Sequence, residues 1–495
     1  KSILLVTRQP IGRSPSMLNI LGQSTHLCNG LSRRAILTAG SAGLFGLQVP
    51  SLLSAENKGT IRPDAKAKSV LFLFLFGGPS QLETFDMKPE AASSIRGPFR
   101  SISSRTPELR ISEHLKQTAQ LSDKFCVIRT MTHPHNDHNA CHYIQTGHTW
   151  TRSAENGQDV NARETDWPSM GSVIEHVSQH HPGNRHRTFP DYVYLPNRLG
   201  HLQGYDRTGQ YAGWLGSAYN ALATDIRRKD SQDNPYFRNC DDTELDFRIK
   251  GLLTRKEITL DRLQKRQSLL EQFDRHRRDV EDQKSLVNYE GIRRQALELV
   301  TSEKIRTALD IRKESEELRS QYGYHLFGQS TLMGRRIIEA GSRFVTVLWD
   351  APDGYSWDSH RTSSDLEKFL IPGFDQAFSA LLRDMDDRGL LDETLVVAIG
   401  EMGRTPKPDT AQWGRGHWSY CFPCILAGAG IQGGTLYGQS DKDAAYPADN
   451  PVRPEDLAAT IYYALGINPD LRLPDQQGRP VQIIEDGRPL TELFG

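Results

Sequence analysis

Short runs of β-branched and apolar residues, each closed off by turn-forming residues, recur at 70–76, 126–130, 192–195, 344–349, 395–399 and 424–427. Runs of that length without polar alternation are the pattern of strands buried on both faces. Between them, 170–177, 366–387 and 455–465 carry apolar residues at helical spacing, which predicts helices with one face on a core. Strands alternating with helices predict an α/β fold with a largely parallel sheet. Sheets of this kind gather their chemistry at the C-terminal strand ends.

From 252 to 320 the pattern changes. Charged residues crowd the stretch, Pro is absent, and Leu260, Leu263, Leu270, Phe273, Ile292, Leu299, Ile305 and Leu309 recur at three-to-four spacing. That predicts long amphipathic helices inserted in the domain as a lid, a partner surface or a solvated face.

The N-terminal residues 1–55 read as an address. Arg33-Arg34 precede the small, apolar segment 38–53, no acidic residue occurs before Glu56, and Leu53-Ser54-Ala55 is a tolerable cleavage site. This is the pattern of a twin-arginine signal, and Gly40, Gly43 and Gly46 make the segment a poor buried helix. The expected partner is the twin-arginine export machinery, the expected location the periplasm or beyond, and the expected mature domain residues 56–495.

Composition narrows the function. With 60 Lys plus Arg against 61 Asp plus Glu, the formal charge of the 495 residues is −1, so no global field attracts nucleic acid or anionic membrane. Hydrophobic residues make up 37%, and no apolar run in the body of the chain is long enough to span a bilayer. The six cysteines are too scattered for a disulfide scaffold; Cys421 and Cys424 read as core thiols or a disulfide.

Four strand ends carry candidate chemistry. Strand 70–76 runs into Gly77-Gly78-Pro79-Ser80, with Glu83 and Asp86 close behind. After 126–130 comes His133-Pro134-His135-Asn136-Asp137-His138, and with His142 and His148 five of the chain's 16 histidines fall here. Imidazoles with a carboxylate suit a metal or proton-transfer site, and a helix beginning within 136–143 would put His138 and His142 on one face. After 344–349, Asp358 and His360 lie two apart in a loop, which suits a divalent ion. After 395–399 come Gly400-Glu401-Met402-Gly403-Arg404 and then Gly414-Arg415-Gly416-His417-Trp418. Arg404 and Arg415 could clamp an anion through bidentate hydrogen bonds or pair with structural carboxylates. No P-loop, HExxH or GxSxG sequence occurs.

Taken together, Gly77-Gly78-Pro79-Ser80 through Phe85-Asp86, the run from His135-Asn136-Asp137-His138-Asn139 to Gly147, Trp357-Asp358-Ser359-His360, Gly400-Glu401-Met402-Gly403-Arg404-Thr405-Pro406 and Gly414-Arg415-Gly416-His417-Trp418 resemble the exported family known as domain of unknown function 1501. That family is grouped with the alkaline phosphatase and sulfatase superfamily. The resemblance implies an alkaline-phosphatase-like three-layer α/β sandwich with a largely parallel central sheet. It also implies a metal-assisted hydrolase of phosphate or sulfate esters, a polysaccharide ester among them.

In that likeness Asp358, His360, Glu401 and His417 hold one divalent cation (calcium, zinc or manganese). Asp137 or His138 acts as nucleophile or general base, with Ser80 at the first strand end, and Arg404 or Arg415, with His135 and Asn136, holds the anionic ester. The chain departs from the superfamily at three points. Gly-Gly-Pro-Ser replaces the strand-end carboxylate, the formylglycine Cys motif is absent, and Met402 stands where a ligand His is expected. The alternative expectation is a non-catalytic extracytoplasmic binding or surface-associated protein that keeps the same pocket.

Overall fold

The computed structural model describes residues 61–62, 64–149, 160–181, 189–226, 228–230, 233–247, 302–351 and 356–495. The expected signal region 1–55 and most of the expected charged insertion, up to residue 301, lie outside the described residues.

Ten strands matter to the site: β1 (Ser69–Leu75), β2 (Phe125–Met131), β3 (Tyr192–Leu195), β4 (Leu222–Ala223), β5 (Phe344–Trp349), β6 (Thr394–Ile399), β7 (Gly403–Arg404), β8 (His417–Trp418), β9 (Phe422–Ala427) and β10 (Leu436–Tyr437). Eight of them form one sheet in the order β10-β2-β9-β6-β1-β5-β3-β4, and β7 and β8 form a separate ribbon. Within the sheet β9 alone is antiparallel to its neighbours β2 and β6. The rest of the sheet is parallel, as the uniformly apolar runs predict.

Successive side chains of β1 feed two cores. Leu71, Leu73 and Leu75 join one; Val70, Phe72 and Phe74 join the other. The first core is covered by helices Leu326–Ala340 and Ile371–Asp387, the second by Met170–His180 and Pro454–Ala464. The result is helices on both faces of a buried sheet, the three-layer α/β sandwich expected. Truncating a β1 phenylalanine to alanine would cost about 3–5 kcal/mol.

The six predicted strands and the helices predicted at 170–177, 366–387 and 455–465 are present to within a few residues. The segment predicted as one helix over 366–387 is two: a π-turn at Leu366–Leu370 and an α-helix at Ile371–Asp387, with Pro372 in its first turn. Proline offers no N–H and is tolerated there for that reason. The end of the charged stretch has one face on the core and the other in solvent. Its short helices Glu303–Leu309 and Glu316–Tyr322 start at the hydroxyl caps Ser302 and Ser315, and Ile305, Ala308, Ile311 and Tyr322 are buried in the first core. Among the described residues no helix is long and apolar enough to cross a membrane.

Register fixes where the chemistry gathers. Leu75 pairs with Trp349 and Phe74 with Ile399, so β1, β5 and β6 end level and their loops meet.

Candidate functional site

The meeting point is the turn after β1. Gly77 and Gly78 have φ of 107° and 85°, values that L side chains rarely adopt. A Cβ on Gly77 would lie 2.3 Å from the Asp358 backbone nitrogen, and one on Gly78 would lie 2.6 Å from the Met402 carbonyl oxygen. Two glycines therefore let three strand-end loops touch backbone to backbone. The Gly77 N–H donates to both carboxylate oxygens of Glu401, at 2.9 and 3.0 Å, and its carbonyl accepts from Arg404.

Asp358 is the centre of the cluster. Its Oδ1 receives Arg404 and faces His360 Nε2 at 3.0 Å and His417 Nε2 at 3.2 Å. Its Oδ2 faces His138 Nε2 at 3.3 Å. Burial works to raise the Asp358 pKa, but the three imidazoles and the Arg404 guanidinium outweigh it and hold the carboxyl far below its usual range. The Nε2 atoms of His360 and His417 stand 2.9 Å apart.

The histidines are aimed from behind. His138 Nδ1 is 2.7 Å from Oε1 of Glu401, which is fully buried. His417 Nδ1 is 3.3 Å from the Asn136 carbonyl oxygen. An acceptor on Nδ1 keeps a proton there and turns Nε2 toward Asp358. Burial works to lower the His138 pKa, but Asp358 and Glu401 raise it to about 9. Lone pairs facing a carboxylate demand a proton or a cation between them. The ligand atoms of His138, Asp358 and His417 all lie within 4.8 Å of one another. Imidazoles whose second nitrogen rests on a carboxylate or carbonyl are the usual donors to a divalent transition ion, so these residues fit such an ion.

Of the residues singled out in the sequence, Asp358, His138, His360 and His417 come together. Glu401 stands one layer back, behind His138, and Arg404 is fully buried against Asp358 and the carbonyls of Gly77 and Gly78. Asn136 brackets His417, its side chain donating to the His417 carbonyl at 3.1 Å and accepting from Ser419 N–H at 2.9 Å. Others face elsewhere. Arg415, 1% exposed, is paired with buried Glu83 at 2.7 Å, and the Ser80 hydroxyl is bound to the same Glu83. The His135 ring packs edge-on against Tyr143. Asp137 accepts the Asn139 N–H at 2.8 Å, a turn that precedes helix Ala140–Thr146. That helix starts after His138, so His138 and His142 do not share a helical face; His142 Nδ1 meets the Thr208 hydroxyl at 3.0 Å. Cys421 and Cys424 are buried free thiols.

A cavity of about 220 Å³ opens beside the cluster, with Asp358, Ser359, His360, Arg361, Thr362 and Asp365 in its wall. Ser359 stands inside a motif singled out in the sequence but was given no role there, and Arg361 and Asp365 were not among the expected site residues. The available signal was position: Ser359 lies between Asp358 and His360, Arg361 directly follows them, and Asp365 opens the next helix.

The family described as "Protein of unknown function (DUF1501)" matches residues 67–494. The chain belongs to that family. No curated protein matches the sequence. Among solved structures, the phosphonate monoester hydrolase from Silicibacter pomeroyi is similar at 13% identity, over 86% of this chain and 76% of that one, with a TM-score of 0.34. A chain from glycosaminoglycan metabolism by Bacteroides thetaiotaomicron is similar at 11% identity, over 86% and 76%, with a TM-score of 0.41. Alkaline phosphatase from the Antarctic bacterium TAB5 is similar at 10% identity, over 81% and 99%, with a TM-score of 0.34. These are partial overlaps, and the chemistry of the site rests on its own residues.

Proposed function

We propose that this member of the DUF1501 family is an exported, metal-assisted hydrolase of phosphate or sulfate esters, with polysaccharide esters among its substrates. The observation that carries the reading is the convergence of His138, His360 and His417 Nε2 on the single carboxylate of Asp358. A divalent cation supplies Lewis acidity and neutralises charge developing on the ester. Two or three imidazoles with one carboxylate form a nitrogen-rich donor set, which favours zinc, then manganese, over oxygen-seeking calcium.

The chain's own groups then have distinct tasks. Glu401 and the Asn136 carbonyl hold the imidazoles in orientation, and Arg404 holds Asp358 in place. His360, whose side chain is 43% exposed, stands at the rim where a departing alcohol can take up a proton. Arg415, held by Glu83, supports the site through its backbone, whose carbonyl accepts from Arg404 at 3.2 Å and whose N–H donates to the Ser359 carbonyl at 3.0 Å. Export by the twin-arginine route to the periplasm or beyond rests on the pattern around Arg33-Arg34 and belongs to the same proposal.

The test is metal content by mass spectrometry together with turnover of p-nitrophenyl phosphate and p-nitrophenyl sulfate, for the wild type and His417→Ala. About one ion per chain, lost in the variant along with at least 100-fold of the turnover, is expected. One observation favours a non-catalytic binding protein instead. Asp137, expected with His138 as nucleophile or general base, is engaged by Asn139, and Ser80 at the first strand end is fully buried on Glu83. A retained ion with turnover of neither ester would decide for that second reading.

A further inference from the structure

We propose that the cavity beside Asp358 and His360 seats the tetrahedral oxyanion of the ester, with the Ser359 hydroxyl donating to one oxygen and Arg361 pairing with its charge. This deepens the hydrolase reading and rests on it, but through residues to which that reading gives no task.

Ser359 is 8% exposed and lies in the cavity wall, and its Oγ has no hydrogen-bond partner. Buried hydroxyls are almost always partnered, because desolvation without a hydrogen bond is unfavourable. The two residues flanking it, Asp358 and His360, both belong to the imidazole–carboxylate cluster. An anion accepting from Ser359 in this cavity would therefore lie beside the groups proposed to hold the cation.

Arg361 supplies the charge. It is exposed at the cavity, and no ion pair engages it among the described residues. Arg404 and Arg415 differ in this respect, since each is buried on a carboxylate. A free guanidinium beside an unpartnered hydroxyl presents the forked donors that sulfate and phosphate accept. A space of about 220 Å³ is below the roughly 300–1,000 Å³ of drug-sized sites, and suits a small anion with the adjoining part of its alcohol.

The wall also contains two carboxyls. The charge of Asp358 is balanced by Arg404 and the imidazoles; Asp365 has no such cluster around it. That gives the proposal a sign test, because removing the Asp365 charge should favour an anion.

The experiment is calorimetric titration of inorganic phosphate and sulfate into the zinc-loaded full chain, with metal content and KM for an ester measured in parallel. Arg361→Ala should weaken anion binding at least 10-fold, Arg361→Lys less, and Ser359→Ala about 5- to 10-fold, while Asp365→Asn tightens it. The bound ion should remain in each variant. Arg361 is exposed, so its variants test the proposal even where Ser359→Ala fails to fold. Wild-type binding of neither anion, or Arg361→Ala binding them as the wild type does, would overturn it. If anion binding depends on Arg361 while no ester is turned over, the hydrolase reading fails and the anion seat stands. If esters are hydrolysed with KM unchanged in Arg361→Ala, the seat fails and the hydrolase reading stands.

Discussion

His138 is held between two carboxylates, its Nδ1 2.7 Å from Glu401 Oε1 and its Nε2 3.3 Å from Asp358 Oδ2. Glu401 is in turn fixed by the Gly77 N–H. One imidazole thus joins the loops after β1, β2, β5 and β6, and its orientation depends on a residue that does not reach the cluster's centre.

Replacing that residue should separate orientation from ligation. In Glu401→Gln the amide oxygen can still accept the Gly77 N–H, but the negative charge behind His138 is gone. We expect zinc affinity to fall about 10–100-fold, as for other outer-layer partners, with the fold retained. Competition with a chromophoric chelator measures the affinity, and circular dichroism checks the fold. An unchanged affinity would remove Glu401 from the site.

Gly77→Ala should be more disruptive. At φ 107° and with 2.3 Å to the Asp358 nitrogen, the added methyl group meets both backbone strain and a backbone clash. We expect a loss of about 3 kcal/mol or more in urea unfolding, accompanied by loss of the bound ion. A loss below about 1 kcal/mol would mean that the loops separate at little cost.

The Arg415–Glu83 pair is buried on both sides, at 1% and 0% exposure. Removing one partner strands the other charge, so Arg415→Met should cost about 3–5 kcal/mol. The double variant Arg415→Met with Glu83→Leu should recover much of that loss in the same unfolding experiment. Additive losses in the two single variants would show that the charges are not coupled.

Stability should fall in mild acid. Burial lowers the pKa of His148 to about 4 and of His325 to about 4; for His176 burial first, then His180, lowers it to about 3. Between these values and the ordinary 6.5 the unfolded chain binds protons that the folded chain does not. The contribution of these three histidines is therefore complete above about pH 6.5 and is lost as pH falls toward 4. Each group contributes up to about 3 kcal/mol. Tryptophan fluorescence from pH 7.5 to 4.5 should show an acid transition that His325→Gln moves to lower pH. A transition at the same pH in the variant would rule His325 out as a contributor.

Several features are legible in the residues alone. The strand 344–349 falls where the residues predict, because an unbroken apolar run can be buried only between two layers. The spacing of Asp358 and His360 marks a pair of donor side chains in one loop, and the resemblance adds His417, because carboxylates and imidazoles are chemically distinctive. Other features were not legible. Arg404 and Arg415 look alike in sequence as anion clamps, yet each is buried on a carboxylate contributed by a distant loop. His142 follows His138 by four residues, but the helix begins at Ala140, after an Asp137 turn that periodicity does not reveal.

The α/β class, the strands and the donor types follow from the residues alone, since burial pattern and side-chain chemistry are local properties of the chain. Which donors converge is set by the fold. That choice depends on strands ending level, on two glycines letting three backbones touch, and on which buried carboxylate captures each arginine. Such contacts join residues hundreds of positions apart, and their energies depend on distance and burial rather than on order along the chain.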